Sequence, residues 1–377
     1  MNAKAHAFLL IVLIAGSIFS GKLAVSADNA EHNERIELVA PLGLPSIPAK
    51  YARVSAAKVE LGRKLFFDRR LSFNNTLSCA MCHLVDDAFA STQSRRAIGM
   101  EGRTLRRNAP SLLNVVYQRS FFHDGRETHL DLQVWMPFLA ADEMANPSMG
   151  YVLDRIGELD DYAQRFERIY PDQGISILSV ADAIATYEAT LVSGNSRFDR
   201  WYFGKEKDAL TESEKSGFQI FTGKGGCSSC HTIDGDTALF TDHQFHNTGI
   251  GYRASMHSDQ MYVIPLAPGV ETRMSLQTID TFGEKLQNDV GRFEVTHVES
   301  DRWAYKTPSL RNVSRTRPYM HDGSIATLED VVEYYGTGTA GRNVGSGALT
   351  HIDLSADEKA DLVAFLKSLD GDDRARP

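Results

Sequence analysis

Two pentapeptides decide how this chain is read: Cys79-Ala80-Met81-Cys82-His83 and Cys227-Ser228-Ser229-Cys230-His231. Both are C-x-x-C-H, and together they use all four cysteines of the 377-residue sequence. Four cysteines in an exported chain would ordinarily suggest two disulfides. A single C-x-x-C could serve as a redox dithiol or as half of a zinc site. Two copies with the same spacing, each followed directly by His, point instead to covalent haem. The paired thiols add to the vinyl groups, and the adjacent imidazole becomes the proximal iron ligand. Cys79, Cys82, Cys227 and Cys230 are therefore read as attachment residues for two c-type haems, with His83 and His231 as iron ligands.

Working outward from these motifs, the chain repeats itself. Ala109-Pro110-Ser111-Leu112-Leu113-Asn114-Val115 matches Thr307-Pro308-Ser309-Leu310-Arg311-Asn312-Val313, and thirteen residues after each proline comes His-Asp-Gly, at His123 and His321. Upstream, Gly62 with Leu65-Phe66 matches Gly217 with Ile220-Phe221. Self-similarity at this scale means two homologous domains. Thr211-Glu212-Ser213-Glu214 forms a capping box that opens the second half. Ser355 caps an amphipathic closing helix through Leu369, and Val180 to Leu191 reads as the closing helix of the first half. Strand signals are sparse. The expected fold is all-α, two cytochrome c-like domains packed face to face: residues 28–205, then 206–377, after a leader at 1–27. The copies differ in length. His83 to Pro110 is 27 residues and His231 to Pro308 is 77, so an ordered excursion is expected at about 240–300.

The repeat also serves as an internal control on the open faces of the haems. Counting from the H-D-G histidines, copy one has Gln133, Pro137 and Glu143 where copy two has Val331, Tyr335 and Gly341. Proline cannot bind iron, and no His occurs between Leu84 and Phe122. The first haem is thus expected to keep an open position beside a carboxylate, which suits proton transfer during cleavage of a peroxide O–O bond. Tyr335 offers a phenolate ligand to the second iron. The competing readings are a solvated surface Glu and a half-buried packing Tyr. Tyr334 should face about 100° away from Tyr335 on a helix and be dispensable.

The first 27 residues read as a cleaved signal peptide: Lys4, the apolar run Phe8 to Phe19, and Val25-Ser26-Ala27 before Asp28. The apolar run is shorter than the ~20 residues that span a bilayer. The expected location is the periplasm, with cleavage near Ala27 and no membrane span thereafter. Cleavage removes Lys4 and Lys22 and no acid, taking the formal charge from −9 to −11. That charge argues against nucleic acid or an anionic membrane surface as a partner.

These motifs, with Leu61 to Asp68 (L-G-R-K-L-F-F-D), Arg107 to Ser111 (R-N-A-P-S) and Pro318 to Gly323 (P-Y-M-H-D-G), resemble the bacterial di-haem cytochrome c peroxidase and MauG family over about residues 50 to 370. The resemblance implies an N-terminal peroxidatic haem and a C-terminal electron-transfer haem. It implies a peroxide pocket lined by Gln133, Pro137 and Glu143, and Tyr335 at the position of the second haem's distal ligand. It also implies calcium between the domains at Asn108, Thr316 and Pro318. The family's inter-haem Trp is replaced here by His123. The string from His123 through Val152 looks most like the MbnH-type subgroup, whose implied activity is oxidation of a tryptophan in a copper-binding partner.

The expected function is a periplasmic di-haem oxidase that activates hydrogen peroxide. Glu143 would be its acid/base and Gln133 its polar support, with a protein substrate oxidised through surface aromatics, for which Trp201, Tyr202, Trp303 and Tyr305 are candidates. The alternatives are a cytochrome c peroxidase fed by a small electron-donor protein, and a non-enzymatic two-haem carrier.

Overall fold

The structure is a computed structural model that describes residues 34–256, 261–267, 270–275, 288–336 and 352–373. The leader at 1–27 and Gly341 lie outside the described residues.

In the first half, helix α1 (Ala56–Phe67) packs against α7 (Ile177–Ala189). In the second half, α9 (Glu212–Thr222) packs in the same way against α13 (Ala356–Lys367). The repeated glycines sit at the two crossings. A Cβ on Gly62 would lie 1.9 Å from the Ala183 carbonyl oxygen, and one on Gly217 would lie 2.0 Å from that of Asp361. Only a residue without a side chain lets the backbones come this close. Thr211 and Ser355 cap α9 and α13 with capping boxes as expected. Helix α7 begins three residues before Val180, because Ser176 and Ser179 cap each other reciprocally.

Each half has its own apolar core. Leu61, Leu65, Trp135, Phe138, Tyr162, Phe166 and Ile184 fill the first. Phe198, Phe221, Phe240, Val313, Phe365 and Leu369 fill the second. The fold is mostly helical, two cytochrome c-type domains, and the strands are short. β3 (Ser193–Gly194) pairs antiparallel with β8 (Asp372–Asp373), joining the ends of the two closing helices.

The interface between the halves keeps the symmetry of the repeat. Asn108 N–H donates to His321 O at 2.7 Å, and the equivalent Lys306 N–H donates to His123 O at 2.7 Å. The excursion has secondary structure of its own: β4 (Phe245–His246), α10 (Ile250–Met256), the hairpin β5–β6 (Met261–Ala267, Val270–Ser275) and α11 (Phe293–Thr296). It returns to the core through β7 (Tyr305–Lys306), which pairs with β4. Its far end straps onto the first half. Arg106 bonds Glu294 at 2.5 and 2.8 Å, Arg107 grips Asp289 at 2.7 and 2.8 Å, and Arg292 donates to the Asp124 carbonyl at 2.8 Å. No helix among the described residues is long and apolar enough to cross a membrane.

One departure from the repeat anchors the second half. Arg311 stands where copy one has Leu113. Its guanidinium is fully buried, with Nη1 and Nη2 on the two carboxylate oxygens of Asp199 at 2.8 and 2.9 Å. Nε and Nη2 also donate to the carbonyls of Ala238 and Gly43 at 2.6 and 2.7 Å. Removing one partner of such a pair strands the other charge in the interior. Arg311→Leu is therefore expected to cost roughly 3–5 kcal/mol, read as a lowered midpoint in thermal or denaturant unfolding. A loss under about 1 kcal/mol, the scale of a surface pair, would show that Asp199 is compensated otherwise.

Candidate active site: two haem pockets

Both C-x-x-C-H motifs form a single tight turn, α2 (Cys79–Cys82) in the first half and a 3-10 turn over Cys227–Ser229 in the second. Two thiols three residues apart therefore lie on one face. No two of the four cysteines are joined as a disulfide. Burial pushes the Cys79 thiol up, Cys82 to about 12 and Cys227 to about 11.

The loop after each motif aims the histidine. His83 Nδ1–H donates to Phe89 O at 3.0 Å, and His231 Nδ1–H donates to Phe240 O at 2.9 Å. Both phenylalanines hold left-handed backbones, φ 55° and 52°, which turn their carbonyls back onto the rings. The repeated serine braces each turn. Ser111 Oγ donates to Ala88 O at 2.5 Å, and Ser309 Oγ to Leu239 O at 2.7 Å. Burial lowers the pKa of both imidazoles. Each is thus neutral, with Nδ1 occupied and Nε2 left for iron, the arrangement of a histidine ligand held by its outer hydrogen bond. The donor sets fit two covalently bound haems. When bound, the haem supplies an iron that exchanges electrons and, with an open position, binds peroxide.

The two cavities differ. On the first, Glu143 lies near enough to Cys79 and Cys82 for its charge to act on both thiols. Burial raises its carboxyl pKa to about 7, with Asp142 adding to the rise and Arg126 opposing it. The turn that carries it folds back on Pro137, through Met144 N–H to Pro137 O at 3.1 Å and Glu143 N–H to Ala140 O at 3.0 Å. Gly99 lets the neighbouring loop meet this turn, since a Cβ there would lie 1.9 Å from the Asp142 carbonyl oxygen. Gln133 ends α3 (Leu130–Gln133), one residue before α4 (Trp135–Leu139), which bears Pro137.

On the second cavity, Tyr335 projects from α12 (Leu328–Gly336) toward Cys227 and Cys230, whose charges reach its phenol. Burial raises its pKa. Tyr334 is not idle as the helix geometry alone suggests. Its hydroxyl donates to Thr248 O at 2.7 Å, pinning the excursion to α12.

At the interface, His123 is half-buried and neutral, its pKa lowered to about 3 chiefly by desolvation. Its Nε2–H donates to Asn108 O at 2.9 Å. The structure brings Asn108 and Pro318 together, with Asn108 Nδ2–H donating to Pro318 O at 2.8 Å. Asn108 Oδ1 is buried with no partner among the described residues. Of the four expected surface aromatics, Tyr305 is buried and stacks on His321 with ring centroids 3.5 Å apart. It lies under the excursion, which the sequence could not place. Trp201 and Tyr202 are half-buried in the second core.

Sequence reasoning missed Glu188. It lies on the buried face of α7, 4% exposed, and its Oε2 has no hydrogen-bond partner among the described residues. Its charge acts on Cys79, and the repeat places Leu366 at the matching position. The signal was a lone carboxylate in the run Ala185-Thr186-Tyr187-Glu188-Ala189.

A fold and site of this kind define a two-haem c-type cytochrome whose two attachment sites differ in the buried group beside the cysteines, Glu143 at one and Tyr335 at the other. The model of the di-haem cytochrome c peroxidase family matches residues 56–207, and the cytochrome c model matches 214–370. The methylamine utilization protein MauG of Methylorubrum extorquens is 36% identical over 93% of this chain and 89% of its own length. The cytochrome c peroxidase Ccp of Escherichia coli is 33% identical over 86% of this chain and 60% of its own. Among solved structures, a MauG-like protein associated with microbial copper homeostasis is 30% identical with a TM-score of 0.66, covering 89% of this chain and 94% of that one. The di-haem peroxidase BthA of Burkholderia thailandensis is 25% identical with the same TM-score, covering 90% and 95%. The chain belongs to the di-haem cytochrome c peroxidase and MauG family, and it is a haem-dependent oxidoreductase that acts with hydrogen peroxide.

Burial holds Glu188 protonated, with its pKa raised from 4.5 to about 8. The unfolded chain ionises this group at its ordinary value. Its contribution to stability is thus full below about pH 4.5 and lost as pH rises through about 8. Glu188→Gln should flatten that decline when unfolding is followed from pH 5 to 8. An unchanged pH slope would mean that the carboxylate is ionised and paired in the folded protein.

Proposed function

We propose that this protein is a periplasmic di-haem oxidase. It would reduce hydrogen peroxide at the His83 haem and pass the two oxidising equivalents, shared with the His231 haem, to a protein substrate. The observation that carries this reading is the inequality of the two cavities. One holds a carboxylate that titrates near neutrality beside Cys79 and Cys82; the other holds the Tyr335 phenol near Cys227 and Cys230.

Reduction of H2O2 to two waters consumes two electrons and two protons. A carboxyl with a pKa of about 7 can take the proton from one peroxide oxygen and return it to the other without a large driving-force penalty. Gln133 supplies a neutral polar group, and Pro137 contributes a ring that cannot compete for iron. Tyr335 would bind the second iron as phenolate, an anionic ligand that favours its higher oxidation states. A proton leaves the phenol when it does so. Calcium would sit between the halves at Asn108, Thr316 and Pro318, where rotating the Asn108 amide turns its unpartnered oxygen toward the Pro318 carbonyl. Export through a cleaved leader agrees with haem attachment outside the cytoplasm. For the substrate, the H-D-G-R string and the likeness to a copper-homeostasis protein support a tryptophan of a copper-binding partner. The relatives named as cytochrome c peroxidases support a second reading, in which electrons come from a small cytochrome. Steady turnover with a reduced small cytochrome would favour it.

Glu143→Gln is expected to slow the peroxide-dependent optical change of the ferric protein by on the order of 10²–10⁴. In the parent the rate should rise with pH through about 7, because only the ionised carboxylate accepts a proton, and the variant should be flat. A change under about threefold, with haem content preserved, would make Glu143 a scaffold residue.

Tyr335→Met should retain both haems, raise the second haem's reduction potential and stop oxidation of the protein substrate, while the first haem still responds to peroxide. Identical second-haem EPR signals in variant and parent would remove Tyr335 as a ligand.

A further inference from the structure

The proposed function requires electrons to leave a protein substrate and reach haems that are buried in two cores. The excursion, which copy one lacks, carries a chain of rings that runs from the edge of the second haem pocket outward. At the inner end, the Cys230 Sγ, an Asp242 carboxylate oxygen and a His246 ring nitrogen all lie within 4.8 Å of one another. His246 pairs across the β4–β7 ladder with Tyr305, so their side chains share one face of the ribbon. Gly251 then spans the gap from Tyr305 to Trp303. A Cβ at Gly251 would lie 2.8 Å from the Tyr305 hydroxyl and 3.2 Å from the Trp303 Cβ. Beyond it, Trp303 and Tyr252 meet edge to face with centroids 5.1 Å apart.

Trp303 is held for a reason that packing alone does not supply. It is half-buried rather than part of a core. Its backbone is left-handed, φ 59°, a conformation that a bulky residue adopts only where its surroundings impose it. The kink is enforced from both sides, by Trp303 N–H to Val290 O at 2.8 Å and Ala304 N–H to Asp301 O at 3.1 Å. Its indole N–H donates to Ser255 Oγ at 3.1 Å. The Arg302 guanidinium, 5.6 Å from the ring, is paired with Glu299 at 2.6 and 2.8 Å, so its charge is offset.

We propose that Trp303 is the residue through which electrons enter from the protein substrate, and that the excursion is the element that presents it. This rests on the oxidase reading above. In each one-electron step the Trp303 indole gives an electron inward along Tyr305 and His246. It keeps its N–H proton on the hydrogen bond to Ser255, and it recovers an electron from the substrate. Two such steps match one peroxide, whose two protons come from solvent by way of Glu143. An indole suits the task because it can give up an electron without first losing a proton. Buried Tyr305 donates its hydroxyl to the Asp289 carbonyl at 3.3 Å, and burial with the nearby Asp289 charge raises its pKa, so it keeps its proton and conducts rather than stores the charge.

The test uses the holoprotein, treated with hydrogen peroxide and no reductant. Peptide mass spectrometry should find oxygen added at Trp303, with Tyr252 next, because unspent oxidising equivalents come to rest on the indole, the most readily oxidised ring of this row. In Trp303→Phe the peroxide-dependent optical change should form at a rate within about threefold of the parent, and its decay back to the resting spectrum should slow by roughly tenfold or more. Trp303→Tyr keeps an oxidisable ring and should decay faster than Trp303→Phe, which separates electron transfer from a packing defect; haem content reports folding. A normal optical response with Trp303 unmodified, or with equal decay in parent and Trp303→Phe, overturns the inference alone. No optical response in the parent overturns the oxidase reading and the inference with it.

Discussion

The hydrogen bond from each proximal histidine to a phenylalanine carbonyl is the constraint around which both halves are built. A haem ligand must present one ring nitrogen and hide the other, and here the hiding is done by main chain at 3.0 and 2.9 Å. A carbonyl reaches the ring only if the preceding loop reverses, hence the left-handed Phe89 and Phe240. A reversed loop has to be braced, hence the serine of each P-S-L segment bonded to the residue before the phenylalanine. The helix pairs behind the loops close on their glycines because a thicker crossing would move the whole frame away from the haem.

With the proximal sides so alike, all functional difference is carried by the opposite faces and by what lies between the halves. Exchange of two equivalent backbone bonds, Asn108 to His321 and Lys306 to His123, keeps the halves in register and brings the H-D-G turns together. Side chains at that interface have diverged freely. Asn108 is neutral and leaves an oxygen unpartnered. Lys306 is a buried cation whose pKa burial lowers to about 8, held by Gln118 and the Ser120 carbonyl. His123 stays neutral, and the charges at the seam stand in opposed pairs, Arg107 with Asp124 and Arg95 with Asp322.

The excursion ties this seam to the surface. Its ion pairs with Arg106 and Arg107 reach the first half, its Thr248 carbonyl accepts from Tyr334 beside the second pocket, and its strand β4 runs along β7. One insertion thus touches both pockets' supports.

The amino-acid sequence by itself determined the all-α class, the duplication and the two c-type haems, and it named the attachment cysteines and the proximal histidines. Each of these is local: a turn that sets two thiols side by side, a capping box, or a motif repeated at equal spacing. It also named Glu143, Gln133, Pro137 and Tyr335, because the second copy shows what each position holds when its task differs. Only the tertiary structure decided the remainder. Glu188 stood unremarked in its helix until the fold buried it. Tyr305 looked like a surface ring until the excursion folded back and stacked it on His321. Tyr334 looked idle until Thr248, 86 residues away, arrived beside it. Burial and long-range partnership depend on where distant segments meet, and no spacing along the chain records that.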